Sequence, residues 1–339
     1  MRILTAGLTP AYQQLMLFDG LHVDRVNRAT EVVWCASGKP TNAAIAVKIL
    51  DCSVESVLLT PLSGPGREQM ENELRTLGIR LHNVPLQSPT RICTTLIDRK
   101  AQTVTELIEN ASPWTDTELD QFAEAFRDES QQADAIILIG SLPRNCPGDY
   151  YRRLLQQRRR PVPVVCDFRG EELLHVLDLK PSLVKPNRAE LETTFGIPLS
   201  EPEPLFQAMR QLNRMGAQWA LITDGHRMVY LTSTESAFRF QPPSVDASAI
   251  VNPIGCGDAM DAALALAICR GKQVPQSVQT AMAAAALNLN HLLPGRFDAS
   301  SVDEMSDQID ILPWEINESS TCTSIERNLE VFSGFSRNF

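Results

Sequence analysis

The chain is short of aromatic residues (6% of 339 positions) and of histidine, of which it has 5. Nowhere does it hold an apolar run near the roughly 18 residues that a membrane-spanning helix requires, so a membrane partner is not expected. Positive charge is also in deficit. Lys and Arg number 31 against 41 Asp and Glu, a net charge of −10. A protein that grips nucleic-acid backbone needs a basic surface, and this balance excludes that class. The 8 cysteines include no Cys-x-x-Cys pair and the histidines stand apart, which excludes the usual zinc spacings and a disulfide framework. Cys166 and Cys269 sit within apolar runs, as reduced buried thiols do, and a cytoplasmic location is expected. Gly7 and Pro10 interrupt the N-terminus before any signal-peptide core develops.

What is present suits a sizeable core: 43% of residues are apolar. The length fits one large domain with an excursion. We expect one large domain over 1–312, with 313–339 as a C-terminal appendage. From about Asp116 onward, short apolar runs alternate with amphipathic stretches. Thr115-Asp116-Thr117-Glu118 is a capping box opening a helix through Phe126. Ala135–Ile139 is wholly apolar, as a strand buried on both faces is. Val162–Cys166, Leu183-Val184 and Trp219–Ile222 repeat that signature, with helices predicted over 148–159, 170–178, 187–194 and 201–215. The alternation predicts a Rossmann-like α/β fold, a three-layer αβα sandwich around a mostly parallel sheet. Ligands collect at the carboxyl ends of such strands, where Ser141, Asp167, Asn187 and Asp224 fall.

Residues 10–36 and 87–112 break the pattern. They are rich in Val, Ile, Thr and Leu without helical period, and 91–108 reads as a hairpin turning through Asp98–Gln102. We expect a small β-sheet lid. Its edges make a homodimer through the lid plausible.

The stretch Asn252-Pro253-Ile254-Gly255-Cys256-Gly257-Asp258-Ala259-Met260 carries the chemistry. Two glycines let successive amides converge, the following helix adds the positive end of its dipole, and a carboxylate stands beside them. Such a cradle suits transfer of a phosphoryl group to an alcohol. Ser37-Gly38-Lys39-Pro40-Thr41-Asn42 fails as a Walker A loop, since Val33 and Pro40 stand where glycine and Ser/Thr belong. Pro40 instead starts a predicted helix, Thr41 to Leu50, with Lys39 at its entrance. Lys185-Pro186-Asn187-Arg188-Ala189-Glu190 is also a capping-box sequence in its own right.

In order and spacing, these segments resemble the PfkB-type carbohydrate kinases of the ribokinase superfamily, in particular the branch of 1-phosphofructokinase and tagatose-6-phosphate kinase. The likeness runs through Val26-Asn27-Arg28, Ser37–Asn42, Thr90-Arg91-Ile92-Cys93 with Thr105-Glu106-Leu107, Gly140-Ser141-Leu142-Pro143, Lys185–Glu190 and Asn252–Met260. It implies ATP and Mg²⁺ as cofactors and a sugar or sugar-phosphate substrate. Asp258 resembles the catalytic base, and Gly255, Cys256 and Gly257 the anion hole. Asn187 and Glu190 match the motif that organises Mg²⁺ through water. Lys185, Thr223, Gly225 and Asn288 fall on the nucleotide side, where a helix from Met282 to Asn288 walls the adenine. Gln13, Gly38, Lys39, Asn42, Arg91 and Ser141 fall on the substrate side, with Arg91 and Lys39 matching the positions that hold a substrate phosphate.

Departures lie mainly on the sugar side. Gln13 stands where the family carries aspartate, and Ser37-Gly38-Lys39-Pro40 replaces a Gly-Gly-Lys-Gly hinge. Met228 also replaces a glycine after Thr223-x-Gly225. The leading expectation is an ATP-dependent kinase of a sugar phosphate, a ketohexose phosphate such as fructose 1-phosphate or tagatose 6-phosphate, using Asp258 at an ordinary carboxyl pKa. The alternatives are a non-catalytic sugar-phosphate or nucleotide sensor of the same fold, and a kinase of an unphosphorylated sugar or a nucleoside.

Overall fold

The apolar runs become strands in the computed structural model, which describes residues 1–315. In chain order the strands are β1 (Arg2–Ala6), β2 (Ala11–Phe18), β3 (Glu31–Ser37), β4 (Glu55–Thr60), β5 (Arg80–Asn83), β6 (Ile92–Asp98), β7 (Thr103–Ile108), β8 (Ala135–Ile139), β9 (Val164–Asp167), β10 (Leu183–Val184), β11 (Trp219–Ile222), β12 (Val229–Thr232), β13 (Ala237–Phe240) and β14 (Leu312–Pro313). The helices are α1 (Lys39–Leu50), α2 (Arg67–Thr76), α3 (Asp116–Ser130), α4 (Tyr150–Gln156), α5 (Gly170–Val176), α6 (Arg188–Phe195), α7 (Pro202–Met215), α8 (Cys256–Cys269), α9 (Val274–Asn288) and α10 (Val302–Asp307).

Ten strands make the main sheet, in the order β14-β13-β12-β11-β10-β9-β8-β1-β4-β5. It is parallel from β5 to β11 and turns antiparallel from β11 to β14. The parallel part matches the expected fold class. The strands past β11 were not foreseen, because β12 and β13 are too short to stand out from their polar surroundings. Strand alternation sends successive residues to opposite faces. In β1, Leu4 and Ala6 enter a core with Phe122 and Phe126 of α3, Tyr151 of α4 and Met209 of α7. Ile3 enters the opposite core with Ala43 and Val47 of α1 and the alanines of α8 and α9. Helices on both faces, buried against a sheet that is apolar on both, make the three layers.

Residues 10–36 and 87–112 supply the second sheet, β3-β2-β6-β7. Its inner face carries Gln13, Leu15 and Leu17 of β2, with Cys35 opposite Gln13 on β3 and Cys93 opposite it on β6. Leu15, Leu17, Cys35 and Ile97 pack there with Leu292 and Leu293. The outer face leaves Val32, Trp34 and Leu107 exposed, with Trp34 tilted against Tyr12 at 4.7 Å between ring centroids.

Helix α1 starts at Lys39, two residues before the expected Thr41, with Gly38 as its N-cap and Pro40 in its first turn. The segment expected as an appendage from Pro313 begins at the sheet edge. There β14 pairs with β13, and the buried Trp314 packs on Phe206 and Tyr230. Residues 316–339 lie outside the described part. No helix among the described residues is long and apolar enough to cross a membrane.

Candidate active site

The site lies where strand ends of the main sheet meet the N-terminal turns of α1, α6 and α8. Gly255 caps α8 in the left-handed region (φ 87°), and a Cβ there would press on Pro294 at 2.9 Å and on the amide of Gly295 at 3.0 Å. Only glycine fits that conformation and that contact without strain. Two buried asparagines brace the loop. Asn252 donates to Leu292 O (2.8 Å) and accepts from Ile254 N (3.1 Å). Asn288 donates to Ile254 O (2.9 Å) and accepts from Gly295 N (2.8 Å).

Among the described residues, the N–H groups of Gly255, Gly257 and Asp258 have no hydrogen-bond acceptor, and Cys256 N reaches only Pro253 O at 3.5 Å. These are the orphan donors of a helix start, next to the positive end of its dipole. Unspent amides in a glycine loop are what an anion needs. The Cys256 thiol accepts a long contact from Asn288 (3.4 Å), and burial pushes it up to about 11. It is therefore no thiolate that would repel a phosphate.

Asp258, one position beyond the loop, accepts a 2.8 Å hydrogen bond from Asn42 Nδ2 on α1. Asn42 is itself oriented by Ser37, whose hydroxyl donates to its Oδ1 at 3.0 Å. The other Asp258 oxygen accepts no hydrogen bond among the described residues, so it is free to receive a proton. Burial, only partly offset by Lys39 and the Asn42 bond, raises this carboxyl to about 6. That corrects the expectation of an ordinary carboxyl pKa: the sequence does not show how completely the packing of α1 on α8 shields it.

Lys39, expected to hold a substrate phosphate, is ion-paired within the site although its side chain is 41% exposed. Its ammonium is 3.1 Å from Asp167 and 3.8 Å from Glu190. Lys185 is almost fully buried, 3.1 Å from Asp167 and 3.3 Å from Asp261, and it lies directly under Gly257. Burial alone would lower the Lys185 ammonium, yet Asp167 and Asp261 raise it above the usual lysine range. Burial opposes ionisation of Asp167 as well, but Lys185 and Lys39 outweigh it and hold that carboxyl low. Both lysines are thus held as cations, and Lys185 lies beneath the glycine loop.

Asn187 and Glu190 do form the reciprocal cap: Glu190 N donates to Asn187 Oδ1 (2.8 Å) and Asn187 N to Glu190 Oε2 (2.9 Å). The cap leaves Glu190 Oε1 uncommitted except for Lys39. One free carboxylate oxygen fits an ion that keeps most of its waters, as Mg²⁺ does. Thr223 pairs with Asn187 in a parallel bridge and its carbonyl accepts from Arg188 N (2.9 Å). The turn closes with Gly225 alone at positive φ (58°), so Met228 in place of a second glycine costs no backbone strain.

The remaining expected residues are placed unequally. Arg91 donates to the carbonyls of Thr9 (3.0 Å), Pro10 (3.2 Å) and Glu109 (3.3 Å), clamping the crossings between body and lid, and it keeps N–H donors to spare. Ser141 sits after β8, its carbonyl accepting from Thr9 Oγ1 (3.3 Å), and its side chain is exposed. Gln13 faces inward from the lid and donates to Thr95 (2.6 Å). It makes no contact with the charged cluster. Asn288, expected to touch the nucleotide, is fully buried and spends its amide on the anion loop, so its place is that of a brace. Sequence reading missed Asp261. Its only signal was a lone carboxylate three residues past Asp258 in an otherwise Ala/Leu helix, which is one face of one turn.

A glycine-rich anion loop, a shielded carboxylate and a lid over an α/β body define a phosphotransferase of the ribokinase-like kind. The chain matches the pfkB family of carbohydrate kinases over residues 9–296, and it belongs to that family. Among solved structures it is similar to phosphofructokinase-2 of Escherichia coli in complex with substrates and products (20% identity, 91% of this chain and 99% of that one, TM-score 0.82). A possible 1-phosphofructokinase of Thermotoga maritima is similar to the same degree (20% identity, 93% and 100% covered, TM-score 0.83). Ribokinase of Arabidopsis thaliana, complexed with ribose and ATP, matches at 19% identity over 90% and 98%, with TM-score 0.65. At these identities the structures show the fold.

Because the Asn42 amide favours the charged form of Asp258, its loss must raise that carboxyl further. Turnover of the wild-type kinase should fall on the acid side with an apparent pKa of about 6. In Asn42→Ala the acid limb should move to higher pH, read from kcat against pH. An unmoved limb would show that another group titrates there.

Proposed function

We propose that the protein transfers the terminal phosphoryl group of ATP to a hydroxyl of a sugar phosphate, a ketohexose phosphate such as fructose 1-phosphate or tagatose 6-phosphate. The observation that carries this is the pairing of an ionisable, half-committed Asp258 with the unspent amides of Gly255, Gly257 and Asp258 itself. Asp258 orients the acceptor hydroxyl and takes its proton late in the reaction. The loop amides, with Lys185 beneath them, stabilise the charge on the migrating phosphoryl group. Mg²⁺ supplies charge neutralisation on the nucleotide phosphates, and Glu190 Oε1 with Asn187 would hold its waters. Thr223 and Gly225 flank the nucleotide beside that motif. A sensor would use the same open amides to hold a phosphate, but it has no need of a carboxylate with one uncommitted oxygen beside them, which favours the enzyme.

In this reading Arg91, at the lid crossing, meets the substrate phosphate with the N–H donors it does not spend on backbone carbonyls, and Ser141 stands nearby at the end of β8. E. coli phosphofructokinase-2 has been solved with fructose 6-phosphate, which supports a phosphorylated sugar as the substrate class. Gln13 and Asn42 contribute neutral amide groups on the sugar side. The protein works in the cytoplasm, where ATP and reduced thiols coexist.

The exposed Val32, Trp34 and Leu107 make an apolar outer face on the lid, and a second copy of the lid is the partner it fits. One E. coli phosphofructokinase-2 structure is tetrameric, so assembly has precedent on this fold.

Three measurements test the reading. Asp258→Asn should lower kcat by about 10²–10⁴-fold while MgATP still binds, as titration calorimetry would record. Retained turnover would remove Asp258 from the role of base. Arg91→Ala should raise KM for the sugar phosphate about tenfold or more and leave KM for ATP alone, since a charge-assisted contact is lost on one substrate only. Trp34→Glu should convert a dimer to monomer in sedimentation velocity; a wild type already monomeric would dismiss the lid interface.

A further inference from the structure

Asp167, Asp258 and Asp261 are buried with oxygens within 4.8 Å of one another, and the two lysines beside them cannot neutralise all three. Asp261 has the poorest share. It is fully inaccessible, neither oxygen has a well-formed hydrogen bond among the described residues, and Lys185, which it shares with Asp167, is 3.3 Å away. An ionised carboxylate in that state carries a heavy desolvation penalty, whereas a neutral acid has a proton to give its neighbour.

We infer that Asp261 is a neutral carboxylic acid that donates its proton to Asp167, accepts from Lys185, and so positions the Lys185 ammonium beneath the anion loop. The titratable groups facing it are Asp167 and Cys166 from β9, Lys185 after β10, and Asp258 on its own helix. Burial first, and then the nearness of Asp167, push the Asp261 carboxyl well above the usual range, with Lys185 opposing. The consequence is electrostatic. With Asp261 neutral, Lys185 is compensated mainly by Asp167, a carboxylate it shares with Lys39, so more of its positive charge is left for the amides above it, where phosphate is to rest. An ionised Asp261 would cancel it. Asp261 touches no reacting atom in this account; it is a positioning residue, and its kinetic consequence rests on the kinase reading above.

The test needs both spectroscopy and kinetics. Infrared spectra of the full chain at pH 8, above the Asp258 transition, should contain the carbonyl stretch of a protonated carboxyl group, and Asp261→Asn should remove it. Absence of that band in the wild type, or its survival in the variant, would overturn the proposal whether or not the protein is a kinase. In turnover assays Asp261→Leu, of similar volume but with no hydrogen-bonding group, should raise KM for MgATP or lower kcat by about tenfold. Asp261→Asn, which keeps a donor and an acceptor without charge, should recover most of that loss. Equal losses in both variants, at unchanged melting temperature, would mean that the ionised form is the working one. If the wild type shows no sugar-kinase turnover, the functional reading fails while the infrared result still decides the state of Asp261.

Discussion

The hydrogen bond from Asn42 to Asp258 ties together the two helices on which the site is built. Asn42 belongs to the first turn of α1 and Asp258 to the first turn of α8, more than two hundred residues later in the chain. Both helices lie on one face of the main sheet, and small side chains at their contact let the backbones approach closely. Gly295 completes the junction, since a Cβ there would strike Asn42 O at 2.5 Å. The same closeness that aligns the bond also dries the carboxylate and lifts it toward neutrality. Geometry and protonation therefore have one cause.

Around that bond the protein places charges in an order that makes physical sense only as a set. Carboxyl groups and lysines alternate from Glu190 through Lys39, Asp167 and Lys185 to Asp261, and the buried Lys185 and partly exposed Lys39 each pair with Asp167. Isolated, Lys185 or Asp167 would change protonation state rather than stay charged in the interior. Together the set holds two ammonium groups in the site, with Lys185 beneath a loop of unspent amides. This resolves how a chain with a net charge of −10 accommodates anions: the attraction is local, and the surface charge is irrelevant at a few ångströms in a shielded site.

Much of this was legible in the chain itself, wherever the information was local. The capping box at Thr115–Glu118 and that at Asn187–Glu190 formed as their spacing requires. The buried strand at Ala135–Ile139 and the hairpin of β6 and β7 announced themselves through composition and period. The anion loop could be read from its glycines and the helix behind it. Less legible were the antiparallel edge strands β12 and β13, which are short and mixed in polarity. The direction of long side chains was also hidden. Lys39 could have reached outward to a substrate or inward to Asp167 from the same helix start, and Asn288 could have faced a ligand or a loop.

The amino-acid sequence by itself determined the layer architecture, the second small sheet, the glycine loop that opens α8 and the carboxylate beside it, because these follow from periodicity, glycine conformation and capping over a few residues. Tertiary structure alone decided which charges meet. Asp167, Lys185 and Asp261 come from three separate elements, and only packing brings their side chains within ion-pairing distance. Packing alone, too, sets how much water reaches Asp258. Solvent exclusion is a property of everything surrounding a group, so no local stretch of sequence can encode it.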